Sequence, residues 1–238
     1  MTSPPARETL LFSALAIKTP LTELLPAFER GTGYRVRAAF EPTAILERLI
    51  AEGERPDVLI CTGAAMSRLV EQGIVEGASA RRFISSAIGV AVAPGYVHPS
   101  LGDIDSVTET LLGARSVAYS RSGASGQYFV RLVDRLGIAE EVNGRATILE
   151  KGFVGEALLD GRADLAIQQI SELAAVVGIE IVGPFPDPLQ EPVELSIGRS
   201  AQAGPGTGGE ALLRFITSPE AMATFAAVGV EPVTDVRI

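Results

Sequence analysis

Short apolar runs, each followed by an amphipathic helical stretch, recur along almost the whole chain, and this alternation restricts it to an α/β architecture. LLFSALA (10–16) reads as a buried strand. PLTELLPAFERGTG (20–33) follows with leucines and Phe28 at helical spacing, and Gly31 and Gly33 supply its stop signal. YRVRAAF (34–40) alternates as a strand, and Thr43 stands where an N-cap would precede the helix AILERLIAEG (44–53). PDVLICTG (56–63) is a strand running into a glycine turn, AAMSRLVEQG (64–73) a helix and IGVAVAP (88–94) a continuous apolar strand.

The rhythm then restarts. SVAYS (116–120), RATILE (145–150), ADLAIQQ (163–169), EIVGPF (180–185) and VELSIGRS (193–200) read as strands. SGQYFVRLVDRLG (125–137), FVGEALLDG (153–161), ISELAAVVG (170–178), GEALLRFITS (209–218) and PEAMATFAAVG (219–229) read as helices. AGPGTGG (203–209) reads as a flexible loop. Strands alternating with helices predict parallel βαβ units with helices on both sheet faces. The two long strands, 88–94 outward and 193–200 back, suggest two lobes joined by a double crossover. On that reading residues 1–92 with 193–238 form one lobe, 93–192 the other, and a ligand cleft lies between them. Periodicity alone equally allows one doubly wound sheet.

Charge and composition then exclude several functions. A net charge of -9 argues against nucleic acid, which requires a concentrated basic surface. It leaves an anionic ligand open, because backbone dipoles decide what a pocket binds. One cysteine, Cys61, cannot form an internal disulfide, and Cys61 with the single His98 makes no zinc site. No cofactor or metal is expected. No apolar run is long enough for a membrane span. Residues 10–17 (LLFSALAI) read as core strand rather than as the apolar part of a leader. The chain as given therefore reads as cytoplasmic; it is periplasmic, with a transporter as partner, if a leader precedes it.

Ligands of open α/β sheets sit beyond the carboxyl ends of strands, against helix starts. Five turns occupy such positions: AIKT (16–19), EPTA (41–44), CTGA (61–64), SRSGASG (120–126) and QQIS (168–171). From them come the candidate ligand residues Ala16, Ile17, Lys18, Thr43, Thr62, Ser122, Ser125, Gly126, Gln168 and Gln169. The serine- and glycine-rich turn is the most informative, since glycines admit close backbone approach and a helix start favours an anion. Its glycines are spaced GxxG and it lacks the P-loop lysine, so nucleotide binding is not indicated. Of Gln168 and Gln169, one is expected to line the cleft. Asp57 and Asp164 read as turn residues, Cys61 as a small buried hydrophobe and His98 as a surface loop residue with no companion acid nearby.

With these turns in place the sequence resembles the type II periplasmic-binding-protein superfamily, in its molybdate-binding-protein-like branch. The resemblance runs through PLTELLPAFERGTGYRVRAAF, ERLIAEG, PDVLICTG, EALLDGRADLAI and LLRFITSPEAMATFAAVGVEPV. It implies a ligand held between lobes by hydroxyls and backbone N–H groups of the same turns. The first-turn serine of molybdate binders falls at Ile17 here, the second-turn serine at Thr43, and the tyrosine after the GxAD-like strand at Gln169. QQISELAAVVGIEIVGPFPDPLQ and ALAIK, with Lys18, look closer to an aconitate isomerase-like subgroup. That likeness implies a small carboxylate ligand and proton-transfer chemistry, for which Lys18 and Glu41 are the general-base candidates.

Three functions follow as expectations: a non-catalytic binder of a small organic carboxylate, a cytoplasmic isomerase of small unsaturated carboxylates, and a molybdate or oxyanion transport component. A ligand-sensing regulatory module finds no DNA-binding segment to support it.

Overall fold

The structure, a computed structural model, describes residues 7–203 and 208–233. The chain divides into two compact units, one from Met1–Ser85, Glu194–Ala227 and Glu231–Ile238, the other from Ser86–Val193 with Val228–Val230. Residues 204–207 of the expected AGPGTGG loop lie outside the described residues.

The first unit begins with β1 (Arg7–Ser13), a 3-10 turn (Leu15–Ile17), α1 (Lys18–Thr32), β2 (Tyr34–Phe40) and α2 (Thr43–Ala51). β3 (Val58–Thr62), α3 (Gly63–Glu71) and β4 (Arg81–Ser86) follow. The second unit carries β5 (Ile88–Val92), α4 (Ile104–Gly113), β6 (Val117–Ser120), α5 (Ala124–Arg135), α6 (Ala139–Asn143) and β7 (Thr147–Leu149). It closes with α7 (Glu156–Leu159), β8 (Leu165–Gln169), α8 (Ile170–Leu173) and β9 (Glu180–Pro184). The chain then returns through β10 (Val193–Arg199), α9 (Gly209–Ile216), α10 (Pro219–Ala226) and β11 (Val230–Pro232).

A six-stranded sheet in the order β11-β4-β10-β3-β1-β2 supports the first unit. β1 runs parallel to both β2 and β3, and β10 is antiparallel to β3. Val58, Leu59, Ile60 and Cys61 are all buried, as an inner strand covered on both faces requires. Leu10, Phe12, Leu59 and Cys61 pack against Leu46 and Ile50 of α2 and Met66 and Leu69 of α3. On α1, Phe28 lies 5.4 Å, ring to ring, from Phe215 of α9.

The second unit is built on a five-stranded sheet in the order β7-β6-β8-β5-β9. β6 is parallel to β7 and β8, whereas β5 is antiparallel to β8 and β9. Three alanines on neighbouring strands, Ala91, Ala118 and Ala166, make room for Val154, Ala157, Leu158 and Leu173 to pack above them. Among the described residues no helix is long and apolar enough to cross a membrane.

The outbound crossing falls at Ser85–Ser86, earlier than the expected boundary after residue 92. The reason is pairing: Ile88–Val92 hydrogen-bonds with β8 on one side and β9 on the other, so the whole strand belongs to the second sheet. The return crossing falls at Val193–Glu194. The apolar run at 10–16 splits, its first half forming β1 and its second half the 3-10 turn. α8 stops at Leu173, well before the expected Gly178.

Close packing at one strand end depends on a glycine. A Cβ on Gly126, in the first turn of α5, would lie 2.8 Å from the Ser120 carbonyl carbon at the end of β6 and closer still to its oxygen. Gly126→Ala should therefore destabilise the protein by about 2–3 kcal/mol through backbone overpacking. At Gly31 in α1 an added Cβ meets no atom within 4 Å. Gly31→Ala should stabilise by roughly 0.5 kcal/mol on helix propensity. Urea denaturation of both variants checks the contrast.

Candidate functional site

In the first unit the parallel strands β2, β1 and β3 end at one sheet edge, so the turns that follow them are neighbours. Backbone bonds fix them there: Ala14 N–H donates to the Ile60 carbonyl at 2.8 Å, and Glu41 N–H donates to the Ser13 carbonyl at 3.1 Å. Thr62 N–H donates to the Thr43 hydroxyl at 3.3 Å, tying the second turn to the third.

From this edge start α1, α2 and α3, with Ile17, Pro42 and Thr62 as their N-caps, and no side chain caps any of the three. Two other helices of the same chain are capped, Asp103 accepting from Ser106 N–H at 2.8 Å in α4 and Ser218 from Ala221 N–H at 3.2 Å in α10, whereas α6, α7 and α9 are not. A helix start leaves backbone N–H groups without intrahelical partners and concentrates partial positive charge. In α1 the Lys18 N–H is already taken by the Leu15 carbonyl of the 3-10 turn; the remaining first-turn N–H groups of the three starts form a donor surface suited to an anion.

The predicted residues of this unit occupy these starts, with one correction. Thr43 is not the N-cap of α2; Pro42, extended at φ -53° and ψ 144°, takes that place. Thr43 opens the helix instead, and its hydroxyl is engaged by Thr62 N–H. Ala16 and Ile17 are buried, so only their backbone can serve a ligand. Lys18 is exposed at the first position of α1, and Thr62 is half-buried before α3.

In the second unit β7, β6 and β8 likewise end together. Arg121 N–H donates to the Leu149 carbonyl at 2.7 Å, and the Ser122 hydroxyl donates to the Glu150 carbonyl. Gly123 N–H donates to the Ser120 hydroxyl at 2.9 Å. Ser122 and Gly126 thus shape the turn, the first by bonding the next loop and the second by close packing. Helix α5 leaves Gly123 without a side-chain cap, and Ser125 lies buried in its first turn.

The two glutamines of β8 separate as alternation requires. Gln168 is consumed by the chain: its Oε1 accepts from Val154 N–H and its Nε2 donates to the Gly152 carbonyl, each at 2.9 Å. This holds the loop before α7, so Gln168 anchors that loop. Gln169 Nε2 donates to Glu172 Oε2 at 3.1 Å, while its own Oε1 is buried without a hydrogen-bond partner.

Glu172 is the residue that sequence reasoning missed. Its carboxyl is buried and also accepts Gln169 N–H at 3.3 Å. Burial pushes its pKa from 4.5 up to about 7, against the lowering effect of hydrogen bonds from Gln169 and Gln168. The signal was present in the spacing: Gln169 and Glu172 stand three apart across a helix start, where an acid reaches back to the N-cap backbone.

Asp57 and Asp164 hold the backbone in place. Asp57 Oδ2 accepts from Leu10 N–H at 2.8 Å, and Asp164 accepts from the backbone and guanidinium of Arg115, each at 2.8 Å. Burial pushes the Cys61 thiol up to about 12, so it remains protonated and unreactive. His98 does have a companion acid, Glu180, at 2.8 Å on the surface. Chain distance hid that pair, which is far from the helix starts in sequence. Hydrogen bonds from His98 and Gly95 hold the Glu180 carboxyl below its ordinary range.

Two α/β units linked by crossing strands, each with helix starts gathered at the carboxyl edge of parallel strands, define the type II periplasmic-binding-protein fold. Residues 9–231 match the family described as bacterial extracellular solute-binding protein, and the chain belongs to that family. It is similar to the aconitate isomerase of Pseudomonas sp, at 33% identity over 96% of this chain and 89% of that protein. It is also similar to the molybdate-binding protein ModA of Azotobacter vinelandii, at 22% identity over 94% of this chain and 90% of that one. The solved periplasmic molybdate-binding protein of Azotobacter vinelandii superposes with a TM-score of 0.77 over 94% of this chain and 98% of that chain, at 19% identity.

Glu172 sets a pH dependence of stability. Its folded pKa, about 7, lies above its ordinary 4.5, so the native state holds the proton more tightly than the unfolded chain. Stability then falls as pH rises from 4.5 through about 7, by on the order of 3 kcal/mol in total. Glu172→Gln should remove most of that decline. Urea midpoints for the two proteins, taken at several pH values across the window, check the slope.

Proposed function

We propose that the protein binds a small organic carboxylate at the helix starts on the carboxyl edges of its parallel strands. The observation carrying this reading is that α1, α2, α3 and α5 all start uncapped at the carboxyl edges of parallel strands. Such starts offer backbone donors to an anion without a charged side chain, which suits a protein of net charge -9.

A carboxylate is favoured over a tetrahedral oxyanion by what the turns lack. Ile17, at the position matching a molybdate binder's serine, is apolar and buried, and Gln169 replaces the tyrosine. Buried donors are what separate close analogues, and their loss lowers discrimination for the oxyanion. Likeness to an aconitate isomerase over nearly the full chain points the same way.

That likeness also supports a second reading, in which the bound acid is an aconitate-type substrate and is isomerised by proton transfer. The Glu172 carboxyl, which burial pushes up to about 7, is compatible with this reading without belonging to the reacting groups. Lys18 and Glu41 are the candidate bases of the first unit. A cytoplasmic location fits this enzyme reading, whereas a periplasmic location with a transporter fits pure binding.

Thermal unfolding against citrate, cis-aconitate, trans-aconitate, malate, molybdate, tungstate and sulfate tests the proposal. At a hundredfold excess over Kd a true ligand adds about 2.7 kcal/mol of stability. At least one carboxylate should raise the melting temperature, and the oxyanions should do less. Stabilisation by molybdate or sulfate alone would replace the carboxylate reading with oxyanion transport. Solvent deuterium entering cis- or trans-aconitate under catalytic protein would establish turnover; its absence leaves binding as the function.

A further inference from the structure

A buried polar cluster closes the β8 edge of the second unit. It comprises Gln168, Gln169, Ser171, Glu172 and Ser86, all buried, with the Ser86 and Ser171 hydroxyls 3.2 Å apart. Within it the Glu172 carboxyl accepts only amide N–H bonds from Gln169, at 3.1 and 3.3 Å, besides the influence of the Gln168 amide. Among the described residues no cation pairs with it.

The elements packed against α8 offer little countercharge. β5 and β8 carry no ionisable side chain. β9 carries Glu180, whose carboxylate is exposed and taken by His98 and Gly95 N–H. A buried carboxylate with no cation is costly to keep charged, and the usual relief is a proton. The cluster also holds one acceptor without a donor, Gln169 Oε1, which is buried and unpartnered. A neutral Glu172 adds one O–H donor to a group short of exactly that kind of hydrogen.

We propose that Glu172 couples anion capture to proton uptake: a carboxylate bound at the β8 edge brings one proton onto Glu172, whose neutral form then leaves the ligand as the only negative charge there. The inference rests on the carboxylate-binding reading and names its regulation. A ligand anion placed beside an ionised, dry carboxyl meets like-charge repulsion, and protonation removes it. By reciprocity, a ligand that promotes protonation binds more tightly when protons are more abundant. Glu172 acts here as a positioning and charge-balancing residue, without touching reacting atoms. In the folded protein its deprotonation is pushed up to about 7, so the coupling falls in a range that a cell crosses.

Isothermal titration calorimetry of the full chain with trans-aconitate, repeated in buffers of differing ionisation enthalpy at about pH 7.5, counts the protons exchanged. The same titrations with whichever carboxylate stabilises most serve if trans-aconitate is not bound. The wild type should take up close to one proton and bind roughly tenfold more tightly near pH 6.5 than near pH 8. Glu172→Gln should take up none and bind with an affinity independent of pH. Binding without proton uptake by the wild type overturns this inference and leaves the carboxylate reading standing. Equal uptake by the variant also overturns it, assigning the proton to another group. No binding by any carboxylate overturns both. The wild-type proton count decides the matter even if the variant fails to fold.

Discussion

The backbone N–H groups at the starts of α1, α2, α3 and α5 are the feature on which the functional reading depends. An unpaired N–H in a folded protein must be met by a side chain, water or ligand. The chain can supply caps, as Asp103 and Ser218 demonstrate on α4 and α10. At the carboxyl edges of the parallel strands it supplies Ile17, Pro42, Thr62 and Gly123, and none of these accepts a first-turn N–H with a side chain. Parallel pairing then does the assembly, because strands that run the same way deliver their helix starts to the same edge.

The side chains around those starts mostly serve the backbone that presents the donors. Thr43 receives Thr62 N–H, Ser120 receives Gly123 N–H, and Gln168 clamps Gly152 and Val154. Gly126 lets α5 sit against the end of β6. This division of labour explains how an acidic protein can present an anion site, and why most hydroxyls of the SRSGASG turn are already occupied. The exception is the Gln169–Glu172 pair, where a buried acid lacks a cation and a buried carboxamide oxygen lacks a donor.

Much of the fold was legible because period and punctuation agreed. YRVRAAF became β2 over the residues expected, and Gly33, in the left-handed conformation at φ 76°, ends α1 as its position implied. What stayed hidden had weak local signals or long-range causes. β4, α4, α6 and β11 carry little apolar periodicity of their own, and α4 announces itself only through the Asp103–Ser106 box. The outbound crossing was placed too late because an apolar run such as IGVAV does not say which sheet it joins; only its pairing with β8 and β9 does. In the site, turn positions could be read from strand ends, but not which side chains the chain would use for itself. The place of Glu172 is not legible in the sequence because its burial is a tertiary fact, and His98 reads as unaccompanied because Glu180 is distant in sequence.

The account's central claim is that an anion is held by main-chain N–H groups at helix starts. Backbone amide chemical shifts, followed by NMR as trans-aconitate or the best-stabilising carboxylate is added, test it directly. The account predicts the largest shifts at the first-turn amides of α1, α2, α3 and α5. Saturable shifts confined to other surfaces, with those amides unmoved, would contradict it.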